Sequence, residues 1–336
     1  MKVDAISNGD LVEAADAARH AEESGFDAFM SAEVAHDPFL PLCLAAAVTE
    51  RVDLMTGIAV AFARSPMNVA VTAADLHRLS NGRFVLGLGS QIKPHITKRF
   101  SMPWSHPAPR MREFIQATRA IWTSWDEGEP LQFRGEFYQH TLMTPMFAHA
   151  PSAHGQPRVF LAAVGPAMTA VAGEVADGLM AHGFTTADYF RDVTLTNLQR
   201  GLDAGGRTRD QIEVTVPVFT VTGRDEAEIV AGRRAMCSQI AFYGSTPAYR
   251  PVLEHHGWGE LGDELNVLSK QGEWARMADV VDDPAIIDAF SIVGGTDEVA
   301  AEIIRRFGGL IDRVQIGITT SDPEGRAGMI EALRAA

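Results

Sequence analysis

The residues best suited to acid–base chemistry follow a short apolar run near the N-terminus. Glu33, His36 and Asp37 lie within five residues of one another, just after the run Phe26–Ser31. Carboxylates and imidazoles are the side chains that most often move protons in enzymes, and histidine titrates closest to neutral pH. The same residues also fit a polar loop in which Asp37 caps a helix that opens at Pro38. We favour capping for Asp37 and leave both roles open for Glu33 and His36.

Three further polar side chains follow other apolar runs. Gln91 and His95 come after Arg83–Gly89, and His182 ends the run Gly178–His182. A histidine that follows a buried strand is often a satisfied structural residue, and this is the alternative for His182. The position of His182 at the end of the run favours contact with a ligand. Gln91 and His95 are further candidates for polar contacts with a ligand or for proton transfer.

Glycines within two of the runs suggest close approach of the backbone to another group. Gly57 interrupts an apolar run, which indicates a bulge, contact with a ligand, or tight packing against a neighbouring strand. The stretch Gly87–Gly89 does not continue into a dinucleotide fingerprint, because Ile92 occupies the position of the third glycine. We therefore interpret the glycines of this stretch as room for a flat ring against the backbone.

The start of one predicted helix is suited to an anion. Gly165 and Pro166 begin this helix directly after the run Arg158–Val164. Free backbone N–H groups at a helix start attract anions, and phosphate is a common ligand there. An ordinary turn between strand and helix has the same sequence, so this motif leaves both interpretations open.

All of these residues lie in or after β-rich runs that alternate with helical stretches. The runs are nearly continuous in apolar residues, as strands covered by helices require. The eight runs are Lys2–Ile6, Phe26–Ser31, Val52–Ala61, Arg83–Gly89, Arg158–Val164, Gly178–His182, Ile212–Val221 and Arg313–Ile318. The pattern predicts a (β/α)₈ TIM barrel, in which the carboxyl ends of the strands meet at one active-site face.

Two connections are longer than simple turns, and they predict insertions after strands four and seven. The first, residues 91–157, contains an apolar helical stripe that includes Trp122 and Trp125, followed by a hairpin pattern at Phe133–Tyr138. The second, residues 223–312, includes the aromatic- and glycine-containing stretch Ala241–Gly262. Long insertions after barrel strands usually cover the active-site mouth.

The composition favours a small-molecule enzyme. The 336 residues include 43 acidic and 29 basic side chains, a net charge of −14, which argues against nucleic acid and anionic membranes as partners. The two cysteines, Cys43 and Cys237, are not spaced as zinc ligands and fit a reducing compartment. We find no signal-peptide pattern, membrane-spanning run or linker, and expect one cytoplasmic domain, residues 1–336, that needs no metal.

Several segments together resemble the bacterial luciferase-like superfamily, and within it the coenzyme F420-dependent oxidoreductases. The resemblance covers nearly the whole chain and is carried by the order and spacing of its segments. The most specific are Ala35–Leu42, Ala59–Pro66, Gly82–Ser90, Ala162–Pro166, Ala172–Gly178 and Val293–Val299. It implies a (β/α)₈ barrel with an insertion, often a homodimer, in which a deazaflavin or flavin ring lies across the strand ends.

The resemblance also implies site residues by position. Gly57-Ile58 corresponds to a non-prolyl cis peptide that supports the ring, and Glu33, Ser90 and Gln91 correspond to residues near the ring. The cradle of the phosphate-bearing tail corresponds to Ala163, Val164, Gly165 and His182. The predicted coenzyme site comprises Glu33, Gly57, Ile58, Ala59, Ser90, Gln91, Ala163, Val164, Gly165, Pro166, His182, Gly183 and Phe184.

One departure from the superfamily concerns the substrate. Its sugar-phosphate dehydrogenases pair a histidine after strand two with a glutamate after strand four, where this chain has Glu33 and Ile92. We therefore assign no sugar phosphate and predict hydride transfer between F420 and a small organic substrate. The predicted catalytic residues are His36, Glu33, Gln91 and His95, with His36 preferred for moving the proton. An FMN-dependent monooxygenase and a non-catalytic flavin-binding barrel are the alternatives.

Overall fold

Thirteen strands are present in the part of the chain that the structure, a computed structural model, describes: residues 1–7, 10–317 and 322–336. They are β1 (Lys2–Ser7), β2 (Ala28–Ser31), β3 (Asp53–Thr56), β4 (Ala59–Val60), β5 (Phe84–Gly89), β6 (Phe133–Arg134), β7 (Gln139–His140), β8 (Arg158–Ala163), β9 (Gly178–Ala181), β10 (Glu213–Pro217), β11 (Phe219–Val221), β12 (Ser291–Val293) and β13 (Arg313–Gly317).

Helices follow the strands along the whole chain. They are α1 (Ala14–Glu23), α2 (Phe39–Ala46), α3 (Pro66–Leu79), α4 (Pro107–Glu127), α5 (Pro166–Val175), α6 (Ala187–Tyr189), α7 (Leu195–Ala204), α8 (Glu226–Gly244), α9 (Arg250–His255), α10 (Gly259–Gln271), α11 (Trp274–Val281), α12 (Pro284–Phe290), α13 (Thr296–Phe307) and α14 (Pro323–Ala335). Short π-helical segments at His95–Arg99 and Phe190–Thr194 interrupt this pattern.

Eight parallel strands close into a barrel in the order β1, β2, β3, β5, β8, β9, β10 and β13, and β13 pairs again with β1. Its interior is filled by a buried cluster that includes Met30, Met55, Val85 and Phe160, while the helices cover the outer faces of the strands. Both faces of each strand are therefore buried, which explains the nearly continuous apolar runs. The predicted (β/α)₈ TIM barrel is confirmed.

Two of the predicted runs are divided in the structure, and a third extends past the described residues. The run Val52–Ala61 is two strands, β3 and β4, because the chain turns at Gly57-Ile58 between them. The run Ile212–Val221 is also divided, since β11 leaves the barrel and pairs with β12, a strand that the sequence pattern did not reveal. The last run reaches Gly317 as β13, and Ile318 lies outside the described residues.

An ion network closes the amino end of the barrel. Arg313, at the start of β13, has no exposed surface and donates from Nη2 and Nε to both oxygens of the equally buried Asp4, at 2.7 and 2.8 Å. Its Nη1 also contacts Asp53 at 3.1 Å and Glu213 at 2.9 Å. A buried guanidinium is tolerated only when its donors are paired, and this network provides the partners at the end of the barrel opposite the strand carboxyl ends.

The first insertion, between β5 and β8, contains α4 and the β6–β7 hairpin. The carboxylate of Glu113 on α4 accepts the backbone N–H groups of Glu136, Phe137 and Tyr138, at 2.9, 2.7 and 2.5 Å. The hairpin is thereby joined to the helix, and the apolar stripe of α4 is buried as predicted, with Trp122 and Trp125 in the core.

The second insertion, between β10 and β13, brings helices α8 to α12 to the mouth of the barrel. It has an apolar cluster of its own, which includes Met236, Ile240, Leu253 and Leu265. Phe184, which follows β9, belongs to the same cluster and so connects the insertion to the strand ends. Within the described residues, no helix combines the length and apolarity needed to cross a bilayer.

Candidate active site

A cavity of about 730 Å³ opens at the carboxyl ends of the barrel strands. Its walls come from residues at or directly after the ends of seven barrel strands and from the second insertion. Among them are Ile6, Ile58, Gly89, Ser90, Gln91, Ile92, Val164, His182, Thr220, Met236, Gln239, Tyr243, Tyr249 and Ile316. Small-molecule and cofactor sites usually have volumes of about 300–1,000 Å³, so the cavity is large enough for a ligand of coenzyme size.

Eight of the predicted coenzyme residues line this one cavity. They are Gly57, Ile58, Ser90, Gln91, Ala163, Val164, His182 and Gly183. The remaining five lie behind the wall or beside it: Glu33, Ala59, Gly165, Pro166 and Phe184. Residues from four separate predicted segments therefore meet at one place, because the ends of β3, β5, β8 and β9 are adjacent in the barrel.

The Gly57-Ile58 peptide in the wall of the cavity is cis, as the resemblance implied. A Cβ atom on Gly57 would lie 2.7 Å from the Cε of Met30, inside the barrel. Gly57 also lines the cavity, so the geometry is compatible both with packing inside the barrel and with contact with a ligand.

Gly87 has a different role from the one predicted, whereas the role of Gly89, which lines the cavity, stays a prediction. A Cβ atom on Gly87 would lie 1.9 Å from the backbone oxygen of Thr56, and Gly87 also exchanges hydrogen bonds with the Thr56 hydroxyl. A Cβ atom on Gly89 would lie 2.7 Å from Cδ1 of Ile58. The interpretation of Gly87 as room for a ring is therefore wrong, because the space is needed by β3.

Glu33 is an anchor for the chain that follows the cis peptide. Its Oε2 accepts the backbone N–H of Val60 at 2.7 Å and Nη1 of Arg64 at 2.6 Å, and its side chain is only 7% exposed. Arg64 also contacts Asp37 at 2.9 Å. Asp37 accepts the backbone N–H of Phe39, the first residue of α2, at 2.9 Å, although the cap position itself is occupied by Pro38 and the helix begins one residue later than predicted. Glu33 thus holds the segment that carries Ile58 rather than facing the cavity itself.

The structure separates the other predicted catalytic residues. His36 and His95 are exposed, and neither lines the cavity. Gln91 does line it, with a backbone φ of 57° and with its side-chain oxygen accepting the backbone N–H of Ile92 at 3.0 Å. Its amide nitrogen makes no hydrogen bond within residues 1–7, 10–317 and 322–336. Gln91 therefore offers donor N–H groups to a ligand.

His182 lies in the wall as a neutral imidazole of defined tautomer. Its Nδ1 accepts the backbone N–H of Phe184 at 3.0 Å, so the ring proton is on Nε2. Burial lowers the pKa of His182 to about 4, because the charged form is poorly solvated there. At neutral pH, His182 is therefore a fixed N–H donor without a charge.

Two tyrosines of the second insertion belong to the site and were not predicted from the sequence. Tyr243, on α8, and Tyr249, just before α9, both line the cavity. The ring of His182 stacks on Tyr249 and meets Tyr243 edge to face, with centroid distances of 4.6 and 4.7 Å. Burial raises the pKa of Tyr249 to about 12, so its hydroxyl stays protonated. The aromatic residues of 241–262 were the only available signal, and nothing in the sequence connects them with His182.

At the rim of the cavity, α5 begins without a side-chain cap. Gly165 is the cap residue, Pro166 occupies the first turn, and a Cβ atom on Gly165 would meet nothing within 4 Å. The preceding residue, Val164, lines the cavity. Backbone N–H groups at such an open helix start can donate hydrogen bonds to an anion in solvent or to an anionic group of a ligand.

Comparison with known sequences gives a family match over most of the chain. The sequence model described as luciferase-like monooxygenase matches residues 2–313. An uncharacterized protein of Mycobacterium tuberculosis is 53% identical over 314 residues, which cover 94% of this chain and 92% of that protein. A putative coenzyme F420-dependent oxidoreductase of the same organism is 28% identical over 302 residues, which cover 84% of each chain. The expected superfamily is thereby confirmed.

Solved structures show the same fold. The coenzyme F420-dependent tetrahydromethanopterin reductase of Methanopyrus kandleri superposes with a TM-score of 0.79 at 23% identity, covering 99% of this chain and 96% of that one. The oxygenating constituent of 3,6-diketocamphane monooxygenase of Pseudomonas putida, solved in complex with FMN, superposes with a TM-score of 0.69 at 18% identity, covering 99% and 96%. The fold therefore accommodates both deazaflavin and flavin enzymes.

Proposed function

The chain belongs to the luciferase-like monooxygenase family, and we propose that it is a coenzyme F420-dependent oxidoreductase that transfers hydride between the deazaflavin ring and a small organic substrate. One observation supports this most: eight of the residues predicted for the coenzyme, from four segments of the sequence, line a single cavity at the strand ends. Active sites of (β/α)₈ barrels are found at this face.

The wall residues suit a flat ring with a phosphate-bearing tail. Gly57-Ile58 and the donor groups of Gln91 would lie against the ring, and the N-terminus of α5 at Gly165 would hold the phosphate. The Nε2–H of His182 would donate a hydrogen bond to the tail. The coenzyme, when bound, supplies or accepts the hydride, while the protein contributes position and polar contacts.

The proton that accompanies hydride transfer needs a donor at the cavity. Of the four residues predicted for this work, Gln91 lines the cavity and cannot ionise, and Glu33 is held by Arg64. His36 and His95 are exposed and neither lines the cavity, and their roles stay predictions. Among the described residues that line it, the titratable side chains are His182, Tyr243 and Tyr249.

An FMN-dependent monooxygenase is the second candidate, because the matched family is described as a monooxygenase family and FMN fits the same fold. Two features favour F420: one sequence relative is named as F420-dependent, and the F420-dependent reductase has the higher TM-score of the two structures compared. A third possibility is a barrel that binds the coenzyme without turnover, which the same cavity would allow.

Titration of the purified chain with F420 and FMN side by side tests the proposal. We expect tighter binding of F420, measured by quenching of its fluorescence. Ala163→Trp should fill the cavity and abolish binding, whereas Ala204→Trp, on an exposed site at the end of α7, should not. Tight FMN binding without measurable F420 binding would contradict the proposal, and oxygen-dependent turnover would then support the monooxygenase.

A further inference from the structure

We propose that the substrate of this enzyme is an uncharged molecule that binds against an aromatic wall, with the hydroxyl groups of Tyr243 and Tyr249 as its polar contacts. The wall consists of His182, Phe219, Tyr243 and Tyr249. This inference rests on the proposed function, because it concerns the part of the cavity that the coenzyme would share with a substrate.

The described residues that line the cavity carry no formal charge at neutral pH. Among the described residues that line it there is no Asp, Glu, Lys or Arg. His182 is neutral at physiological pH, and Tyr249 stays protonated, each because of its burial. The six residues outside the described part, at positions 8, 9 and 318–321, are also uncharged types by sequence.

An uncharged cavity discriminates against charged substrates. A carboxylate or ammonium that leaves water for such a site loses its hydration and finds no counter-ion, which costs far more than the transfer of a neutral group. The open helix start at Gly165 lies at the rim, where it can serve an anionic tail, and does not line the cavity itself.

The aromatic wall is built as a unit. The ring of Tyr243 packs against His182, Phe219 and Tyr249, with centroid distances of 4.7, 6.1 and 5.7 Å. Tyr249 in turn stacks on His182 at 4.6 Å. Each ring is held by at least one other, so the wall presents a preformed apolar surface on which an aromatic or alicyclic group can bind.

Two hydroxyl groups in this wall are available to a ligand. Neither the Tyr243 nor the Tyr249 hydroxyl makes a hydrogen bond within the described part of the chain. The other two tyrosines differ: the Tyr138 hydroxyl accepts from Arg110 at 2.9 Å, and Tyr189 lies outside the cavity. A substrate oxygen or nitrogen would therefore find its donors and acceptors in Tyr243 and Tyr249.

Three probes with the same phenol ring and different charge test the inference: phenol, 4-hydroxybenzoate and tyramine. Affinities are measured by ligand-observed NMR titration of the full chain, with and without F420. We expect phenol to bind at least about tenfold more tightly than either charged probe. A charged probe loses the hydration of its ionic group on entering the cavity and finds no counter-ion there, whereas phenol has no ionic group. Gln239 lines the same cavity, so Gln239→Lys places a cation there and should remove the discrimination against 4-hydroxybenzoate.

Substitutions show whether phenol uses the wall. Tyr243→Phe and Tyr249→Phe should each weaken phenol binding about 3- to 10-fold, the effect of one lost hydrogen bond. Tyr189→Phe, a matched change outside the cavity, should leave binding unchanged. Equal affinity for the three probes, no binding of any of them, or insensitivity to both tyrosine substitutions would overturn the inference.

The outcome also separates this inference from the proposed function. If F420 does not bind but phenol is selected by the tyrosines, the proposed function fails and the uncharged site remains. If F420 binds and the charged probes bind as well as phenol, the proposed function remains and the inference about the substrate fails.

Discussion

His182 and Tyr249 stack with their ring centroids 4.6 Å apart and their planes inclined by 27°, at the mouth of the barrel. His182 follows a barrel strand, whereas Tyr249 belongs to an insertion that begins after the next strand. The contact excludes water from one face of the imidazole, and the backbone N–H of Phe184 occupies its Nδ1. Together these two contacts keep His182 neutral and leave its Nε2–H for a ligand.

The first prediction concerns the pH dependence that follows from His182. Its pKa is about 4 in the folded protein and 6.5 when unperturbed, so the unfolded chain binds more protons between these values. The contribution of His182 to the free energy of unfolding is fully present above pH 6.5. It falls by roughly 3 kcal/mol as the pH falls to about 4. Histidine NMR should show an Nε2–H tautomer down to pH 5. A measured pKa near 6.5 would contradict this.

The second prediction concerns coenzyme binding by His182. His182→Ala removes an N–H donor from the cavity wall and should weaken F420 binding about tenfold in a folded protein, as expected for a hydrogen bond to a charged group. His149→Ala is a suitable control, because His149 also stacks on an aromatic ring, that of Trp125, but lies away from this cavity. Unchanged affinity in a folded His182 variant would show that the tail binds elsewhere.

The third prediction concerns the anchor behind the cis peptide. Arg64→Met leaves the nearly buried Glu33 without its cation, and we expect a loss of about 2–4 kcal/mol in the free energy of unfolding. Arg19→Met removes a comparable but exposed pair with Asp16 and should cost less than about 0.5 kcal/mol. Urea unfolding measures both. F420 affinity of the folded Arg64 variant should also fall, because Glu33 positions the chain beside Ile58.

The fourth prediction concerns the opposite end of the barrel. Arg313→Met leaves the buried Asp4 carboxylate unpaired and should cost about 3–5 kcal/mol, whereas the exposed Arg305→Met should cost less than about 1 kcal/mol. The double variant Asp4→Leu/Arg313→Met should recover part of the loss, because no lone charge remains. Wild-type stability of Arg313→Met in urea would contradict the role of this network.

The fourth prediction extends to pH, because the same network includes Glu213. Hydrogen bonding and charge from Arg313, with help from Lys2 and Arg158, lower the pKa of Glu213 from 4.5 to about 2 despite its partial burial. A lowered carboxyl pKa stabilises the fold above about pH 4.5, and this contribution is lost as the pH falls towards 2. Acid unfolding of Glu213→Gln should accordingly be less steep between pH 4.5 and 2.

The fifth prediction separates His36 from the wall residues. Because His36 is exposed and does not line the cavity, we expect that His36→Ala retains turnover within about threefold. A general acid or base contributes about 10²–10⁴-fold, so a fall of that size would restore His36 as the proton donor. The comparison uses steady-state kcat with the first substrate that the wild-type enzyme turns over, and His95→Ala is measured in parallel.

The barrel itself was predictable from the sequence. Parallel strands buried on both faces need nearly continuous apolar runs, and the helices between them begin and end at local signals such as Ser65, which caps α3. Gly57 was also visible as an interruption of a run, and the cis bond after it follows the family pattern. The apolar runs, the helix signals and the position of Gly57 depend on residues close together in the chain, so the local pattern determines them, whereas only the resemblance implied the cis bond.

The composition of the site was decided by the tertiary structure. Glu33 and Gln91 each follow a strand, yet Glu33 is paired with Arg64 while Gln91 faces the cavity, because the fold of the intervening chain places the guanidinium beside only one of them. Tyr249 reaches His182 only through the packing of the second insertion on the barrel. Side-chain pairing between distant segments depends on how those segments pack, so it could not be predicted from the local sequence pattern.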